Sequence, residues 1–180
     1  DVSTALEALL PRVKVTLRTD WLAQVAELKQ RCPMLFPDVD NPRSHYGLIK
    51  AVADALDDEA VITTDVGQQQ MWVAQAYPFR RSRQWLTSGG LGTMGFGFPT
   101  AIGAALAEPE RTVVCFTGDG SFKMNIQELA TLAEEGLNVK IVLMNNNALG
   151  LVYQQQSLFY GKRRFASKYR TEPDFVKIAE

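Results

Sequence analysis

Apolar positions along the chain follow two rhythms, and their alternation predicts a layered α/β domain. Helical spacing of apolar residues predicts helices over 45–57, 68–76, 98–107 and 125–135, with a last one starting near Pro173. Between them lie short β-branched or apolar runs that predict strands over 60–64, 84–87, 111–117 and 139–145. Strands that alternate with helices predict an open parallel sheet covered by helices on both faces. The pattern stops inside a helix at 175-FVKIAE-180, so the sheet domain is expected to be truncated at its C-terminus.

Residues 1–40 follow a different pattern. A short helix around 3-STALEALL-10 breaks at Pro11, and a longer helix covers 20-DWLAQVAELKQRC-32 with Asp20 in the N-cap position. The turn-rich 33-PMLFPDVDNPR-43 carries three prolines and reads as a linker. The expected division is therefore 1–40, the end of a preceding domain with its linker, and 41–180, the sheet domain.

Composition narrows the chemistry. A net charge of -1, with no long block of one sign, gives no electrostatic footing for nucleic acid or an anionic membrane. No apolar stretch is long enough to span a bilayer and the start lacks a signal-peptide pattern, so a cytoplasmic location is expected. Two cysteines, Cys32 and Cys115, offer no disulfide framework or zinc site, and Cys115 lies in the apolar run 113-VVCF-116. With His45 the single histidine, histidine triads and multi-histidine metal sites lose their basis. Carboxylates, amides or a cofactor are left to carry any reaction.

Two glycine-rich stretches are candidates for ligand binding. In 88-SGGLGTMGFGFP-99, Gly90, Gly92 and Gly95 have the spacing of a dinucleotide fingerprint, but no acidic residue closes a following strand at the distance such a site needs. A plain flexible turn accounts for the spacing equally well. The second stretch, 118-GDGSFKMN-125, follows a strand and precedes a helix in which Asn125 and Glu128 have capping-box spacing. Ligands of open parallel sheets gather at the carboxyl ends of the strands, where Asp119 stands. Gly118 and Gly120 let backbone approach a ligand, and the amides of Gly120 and Ser121 suit phosphate oxygens. Asn146 ends the next strand within 145-NNNALG-150, one helix and one return strand after Asp119. A carboxylate and an amide oxygen on adjacent strand ends, with a backbone carbonyl and phosphate oxygens, form a hard-oxygen site for Mg²⁺. Each pair taken alone is also an ordinary turn former.

Gly118-Asp119-Gly120 followed by Asn145-Asn146 resembles the thiamine diphosphate motif. The words 64-TDVGQQQMW-72, 85-WLTSGGLGTMGFGFPTAIGAA-105, 118-GDGSFKMNIQEL-129 and 149-LGLVYQQQSLFY-160 resemble, in that order, the catalytic subunit of the acetolactate synthase (acetohydroxyacid synthase) family. Residues 1–40 resemble the end of its central, FAD-contacting domain. The resemblance implies an Mg²⁺ ion held by Asp119, Asn146 and the Ala148 carbonyl. It implies thiamine diphosphate contacts at Gly67, Gln68, Gln69, Gly118, Gly120, Ser121 and Leu151. It also implies that the Gly92 carbonyl accepts from the cofactor's 4′-amino group and that Met94 wedges beneath its rings. The implied reaction joins a two-carbon unit from pyruvate to a second 2-oxo acid, giving 2-acetolactate or 2-aceto-2-hydroxybutyrate for valine and isoleucine synthesis.

The implied partners are a second catalytic subunit in a homodimer, whose N-terminal domain supplies the activating glutamate, and a small regulatory subunit. The isolated chain is accordingly expected to be inactive. The segment 150–170 would be a loop closing over the site, with Val152 and Gln155 toward substrate. Gln69 stands where the family usually has histidine, and a neutral amide replaces a hydrogen bond but not a cationic one. Gln155 stands where many members have tryptophan, which implies weak discrimination in favour of 2-oxobutyrate and poor inhibition by sulfonylureas. Lys162, Arg163 and Arg164 serve either as attraction for anionic oxo acids or as a solvated charge run. Other thiamine diphosphate enzymes, such as pyruvate oxidase, glyoxylate carboligase or a 2-oxo acid decarboxylase, share the metal motif. A non-catalytic cofactor-binding module is a further alternative.

Overall fold

The computed structural model describes residues 1–180, which divide into two compact units, Asp1–Leu35 and Phe36–Glu180. The first unit holds α1 (Val2–Leu9), a 3₁₀ turn over Leu10–Arg12 and α2 (Thr19–Arg31). Asp1 caps α1 by accepting from the Ser3 amide. Asp20 is not a cap: α2 begins one residue earlier, and Asp20 lies in its first turn with no side-chain cap before it. There a carboxylate still favours the helix through the N-terminal partial charge.

The second unit contains α3 (His45–Asp54), β1 (Val61–Thr64), α4 (Gln68–Ala76), β2 (Trp85–Thr87), α5 (Gly97–Ala107), β3 (Val113–Gly118), α6 (Asp119–Phe122), α7 (Glu128–Glu134), β4 (Val139–Met144), α8 (Gly150–Phe159) and α9 (Phe175–Ala179). All four strands are parallel, in the order β2-β1-β3-β4. The open parallel sheet expected from the alternating pattern is thus present.

Strand residues alternate between two cores, as the two-residue repeat of a pleated sheet requires. Val61, Val113 and Cys115 pack with Phe98, Ala101 and Ile102 of α5, while Ile62, Val114 and Phe116 pack with Ile49 of α3 and Val73 of α4. Both clusters are apolar, and β3 carries the continuous hydrophobic run Val113–Phe116 expected of a strand buried on both faces. His45 stacks near Trp72, with ring centroids 4.3 Å apart, and serves this packing.

Chain direction reverses at β1. From β1 the chain passes through α4 to β2 on one side, then through α5 back across to β3 and on to β4. The carboxyl ends of β1 and β3 are therefore neighbours whose following segments depart in opposite directions. Such a switch point leaves a crevice that helices do not fill.

Two local expectations fail near that crevice. The helix expected over 125–135 is shorter, Glu128–Glu134, and the capping box does not form. Asn125 instead donates from Nδ2 to the Gly95 carbonyl at 2.5 Å, and Glu128 accepts from the Thr131 hydroxyl. Asn125 is drawn away because the glycine loop supplies a carbonyl to satisfy, a partner that spacing along the chain cannot reveal. The segment 150–170 is not a simple loop either, because its first ten residues form α8. The remainder folds back, with Gln156 holding both the amide and the carbonyl of Phe165.

Candidate functional site

A cavity of about 230 Å³ opens at the switch point, between the ends of β1, β3 and β4 and the start of α8. Every site residue expected from sequence lines it except Gln155. Gln155 lies in a neighbouring depression with Tyr160 and Arg163, and Val152 borders both. Val66, Met144, Leu149 and Gly150 also line the cavity, although their types carried no functional signal in the sequence.

Asp119 begins α6 at the end of β3 and is 2% exposed. Its Oδ2 has no hydrogen-bond partner. Burial pushes its carboxyl above the ordinary value, opposed by the Asn146 amide, the charge of Lys123 and the amides of Asp119 and Gly120. An unpartnered carboxylate oxygen is costly to bury, and a cation is the ligand that relieves the cost. No three of His, Cys, Asp and Glu gather in a way that would hold a metal ion, so a cation here relies on Asp119 with amide and carbonyl oxygens. That donor set suits Mg²⁺ and not zinc.

Asn146 faces Asp119's loop from the end of β4. Its Oδ1 accepts from the Ala148 amide at 3.0 Å, and its Nδ2 donates to Gln68 Oε1 at 3.1 Å. Gln68 in turn donates to Gln154 of α8 at 3.0 Å, so the start of α4 is tied to the loop after β4. The Ser121 hydroxyl donates to the Val66 carbonyl at 2.9 Å and clamps β3 to β1, leaving its amide as the group suited to phosphate.

Glycines keep the cavity open. A Cβ on Gly67 would overlap the Gln69 carboxamide, and one on Gly118 would come within 3.1 Å of it. Gln69 is buried and donates to the carbonyls of Asp65 and Val66, so it braces the end of β1. A Cβ on Gly120 would meet the Tyr169 hydroxyl at 2.7 Å and Met94 Cε at 3.6 Å. Met94 therefore reaches across the cavity toward Gly120.

Asp65 was given no role by the sequence. It directly follows β1, is wholly buried, and accepts from the Thr117 hydroxyl at 3.0 Å through Oδ2, while Oδ1 has no partner. Burial raises its pKa, against the amide of Gly97, the Thr117 hydroxyl and the amides of Gly95 and Phe96. Those amides belong to the loop that carries Gly92 and Met94. Asp65 thus lies against the Gly97 end of that loop, and Asn125 holds the Gly95 carbonyl. A carboxylate at a strand end, the signal that singled out Asp119, marks Asp65 as well. The glycine stretch is a loop pinned across the switch point, and not the tight strand-to-helix turn of a dinucleotide fingerprint.

The fold and this crevice define a thiamine diphosphate-binding domain. Residues 65–180 match the family described as thiamine pyrophosphate enzyme, C-terminal TPP binding domain, and the chain belongs to that family. It is 60% identical over 179 residues, 99% of its length, to the acetolactate synthase isozyme 1 large subunit of Escherichia coli. It is 46% identical over 181 residues to the acetolactate synthase large subunit of Lactococcus lactis, and 46% identical over 167 residues to a probable acetolactate synthase large subunit of Methanococcus aeolicus. The chain spans 32%, 32% and 28% of these three proteins and 99%, 100% and 90% of its own length is covered. No helix is long and apolar enough to cross a membrane.

Proposed function

We propose that the chain forms the metal and diphosphate half of an acetolactate synthase active site. The observation that carries this reading is the buried Asp119 carboxylate, with one unpartnered oxygen, in a glycine-lined cavity at the switch point. Asp119, Asn146 and the Ala148 carbonyl hold Mg²⁺, while Gly67, Gln68 and the amides of Gly120 and Ser121 hold diphosphate. Gln69 and Gly118 shape that cradle, and Leu151 closes it from α8. Gly92 and Met94 orient the organic part of the cofactor.

Thiamine diphosphate supplies the electron sink that decarboxylation of a 2-oxo acid requires. The protein's contribution is position: a rigid cradle fixes the cofactor's diphosphate, and Met94 limits the shapes its rings can take. The substrates are pyruvate and a second 2-oxo acid, and the products are 2-acetolactate or 2-aceto-2-hydroxybutyrate. Support for this choice within the family comes from the likeness to acetolactate synthase large subunits.

Residues 1–40 belong to the end of an FAD-contacting domain with its linker, and the working enzyme is a cytoplasmic homodimer with a small regulatory subunit. Val152 and Gln155 face substrate from α8. With Gln155 in place of a large aromatic wall, discrimination by one methylene, worth about 1–3 kcal/mol, is weak. Gln155→Trp is expected to raise the share of product made from 2-oxobutyrate, and an unchanged product ratio in competition assays removes that role.

Calorimetric titration of thiamine diphosphate tests the cradle, with Mg²⁺ or with a chelator, beside Asp119→Ala. Binding that needs both the metal and Asp119 supports the proposal. Equal binding by the variant, or binding indifferent to chelator, overturns it.

A further inference from the structure

Tyr169 touches both strand ends that carry the Asp119 site. Its amide donates to the Asn147 carbonyl at 3.2 Å, beside the antiparallel bridge between Ala148 and Lys168. Its hydroxyl lies against Gly120, and its ring lies under the Lys123 ammonium, 3.2 Å from the ring centroid. Lys123 stands four residues after Asp119, half-buried, and enters none of the chain's ion pairs. An ammonium held over an aromatic face keeps its full charge while losing much of its freedom. One residue from the segment after α8 therefore joins the loop after β3, through its side chain, to the loop after β4, through its amide, and fixes a positive charge beside them.

We propose that Lys123 and Tyr169 are positioning residues, a clamp that sets the spacing of the Asp119 and Asn146–Ala148 strand ends and uses the lysine charge to favour diphosphate over a free divalent cation. The inference rests on the metal and diphosphate reading of the cavity. A fixed positive charge attracts an anionic ligand and repels a cationic one, so its removal shifts the two affinities in opposite directions. Simple loss of packing would weaken both together.

Two titrations measure this on the protein: Mn²⁺ alone, followed by the paramagnetic signal of the free ion, and thiamine diphosphate in saturating Mg²⁺, followed by calorimetry. Lys123→Met is expected to tighten Mn²⁺ about threefold and to weaken thiamine diphosphate by about the same factor. Lys123→Arg keeps the charge and is expected to behave as the unaltered protein. Tyr169→Leu removes the ring and hydroxyl and is expected to weaken both ligands about tenfold, whereas Tyr169→Phe keeps the ring under Lys123 and loses at most about twofold. Thermal midpoints of each variant separate lost fold from lost binding.

Lys123→Met shifting both affinities the same way, or neither, overturns the role of the charge. Tyr169→Leu binding both ligands normally overturns the clamp. Asp119→Asn serves as the reference: if it still binds Mn²⁺ as the unaltered protein does, the cavity itself has been misassigned, a failure distinct from that of the clamp.

Discussion

Asn146 donates a hydrogen bond to Gln68 across 3.1 Å, joining residues 78 positions apart at the mouth of one cavity. Gly150, the first residue of α8, packs against the same Gln68 oxygen, and a Cβ there would overlap it.

Gly150→Ala therefore has opposed effects. Alanine favours a helix by about 0.5–1 kcal/mol over glycine, so the fold is little harmed or gains slightly. Displacement of Gln68 and of Asn146, whose Nδ2 a Cβ would meet at 2.7 Å, is expected to weaken Mg²⁺-dependent thiamine diphosphate binding about tenfold, or about 1.4 kcal/mol. If Gln68 transmits the effect, adding Gly150→Ala to Gln68→Ala weakens binding no further than Gln68→Ala alone. Calorimetry on the three variants checks this.

Asp119 makes the metal-free protein less stable as pH rises. Its folded pKa lies above the ordinary 3.8, so its contribution to stability is fully present below that value and is lost as pH climbs through the folded one. Asp119→Asn is expected to stabilise the metal-free protein at pH 7 by about 1 kcal/mol, the scale of one unsatisfied buried polar group. The advantage should vanish toward pH 3.8 and reverse in Mg²⁺, which only the carboxylate binds well. Thermal melts across pH, with and without Mg²⁺, give the sign of each difference.

Asp65 is expected to matter through the loop it lies against. Asp65→Ala removes the nearer acceptor of the Thr117 hydroxyl, leaving it the Gly118 carbonyl at 3.3 Å, and takes the carboxylate charge away from the amides of Gly95–Gly97, at a cost of about 1–3 kcal/mol. Hydrogen exchange should quicken at those amides while the centre of β3 stays protected at all but the global level. Uniform loss of protection would show that Asp65 supports the whole sheet instead.

The two cysteines should differ sharply toward thiol reagents. Cys115 is fully buried and burial pushes its pKa up to about 12, whereas Cys32 is exposed. The thiolate is the reactive form, so one equivalent of disulfide reagent should react readily and the second only on unfolding. Rapid reaction of both in the native protein would contradict the packing of β3.

Much of this molecule is determined locally. The β-branched and apolar runs at 61–64, 113–116 and 141–144 favour burial, and with helical repeats between them a covered parallel sheet is the economical way to bury them. Asp119 and Asn146 were legible for the same reason, because polar residues that end buried strands must lie at the sheet edge. Their spacing of one helix and one return strand put them on neighbouring ends. Tertiary structure decided where the competing partners of short polar side chains lie. Asn125 has capping-box spacing, yet it serves the Gly95 carbonyl thirty residues away. Asp65 and Lys123 sit in stretches the sequence marks, but only the reversal of chain direction at β1 sets the Asp65 strand end beside that of Asp119, and only the return of the segment after α8 brings Tyr169 to Lys123. Burial repeats every two or every 3.6 residues and so leaves a trace along the chain. A hydrogen bond or a charge contact between distant loops has no such period, and it exists only once the sheet has set the distance.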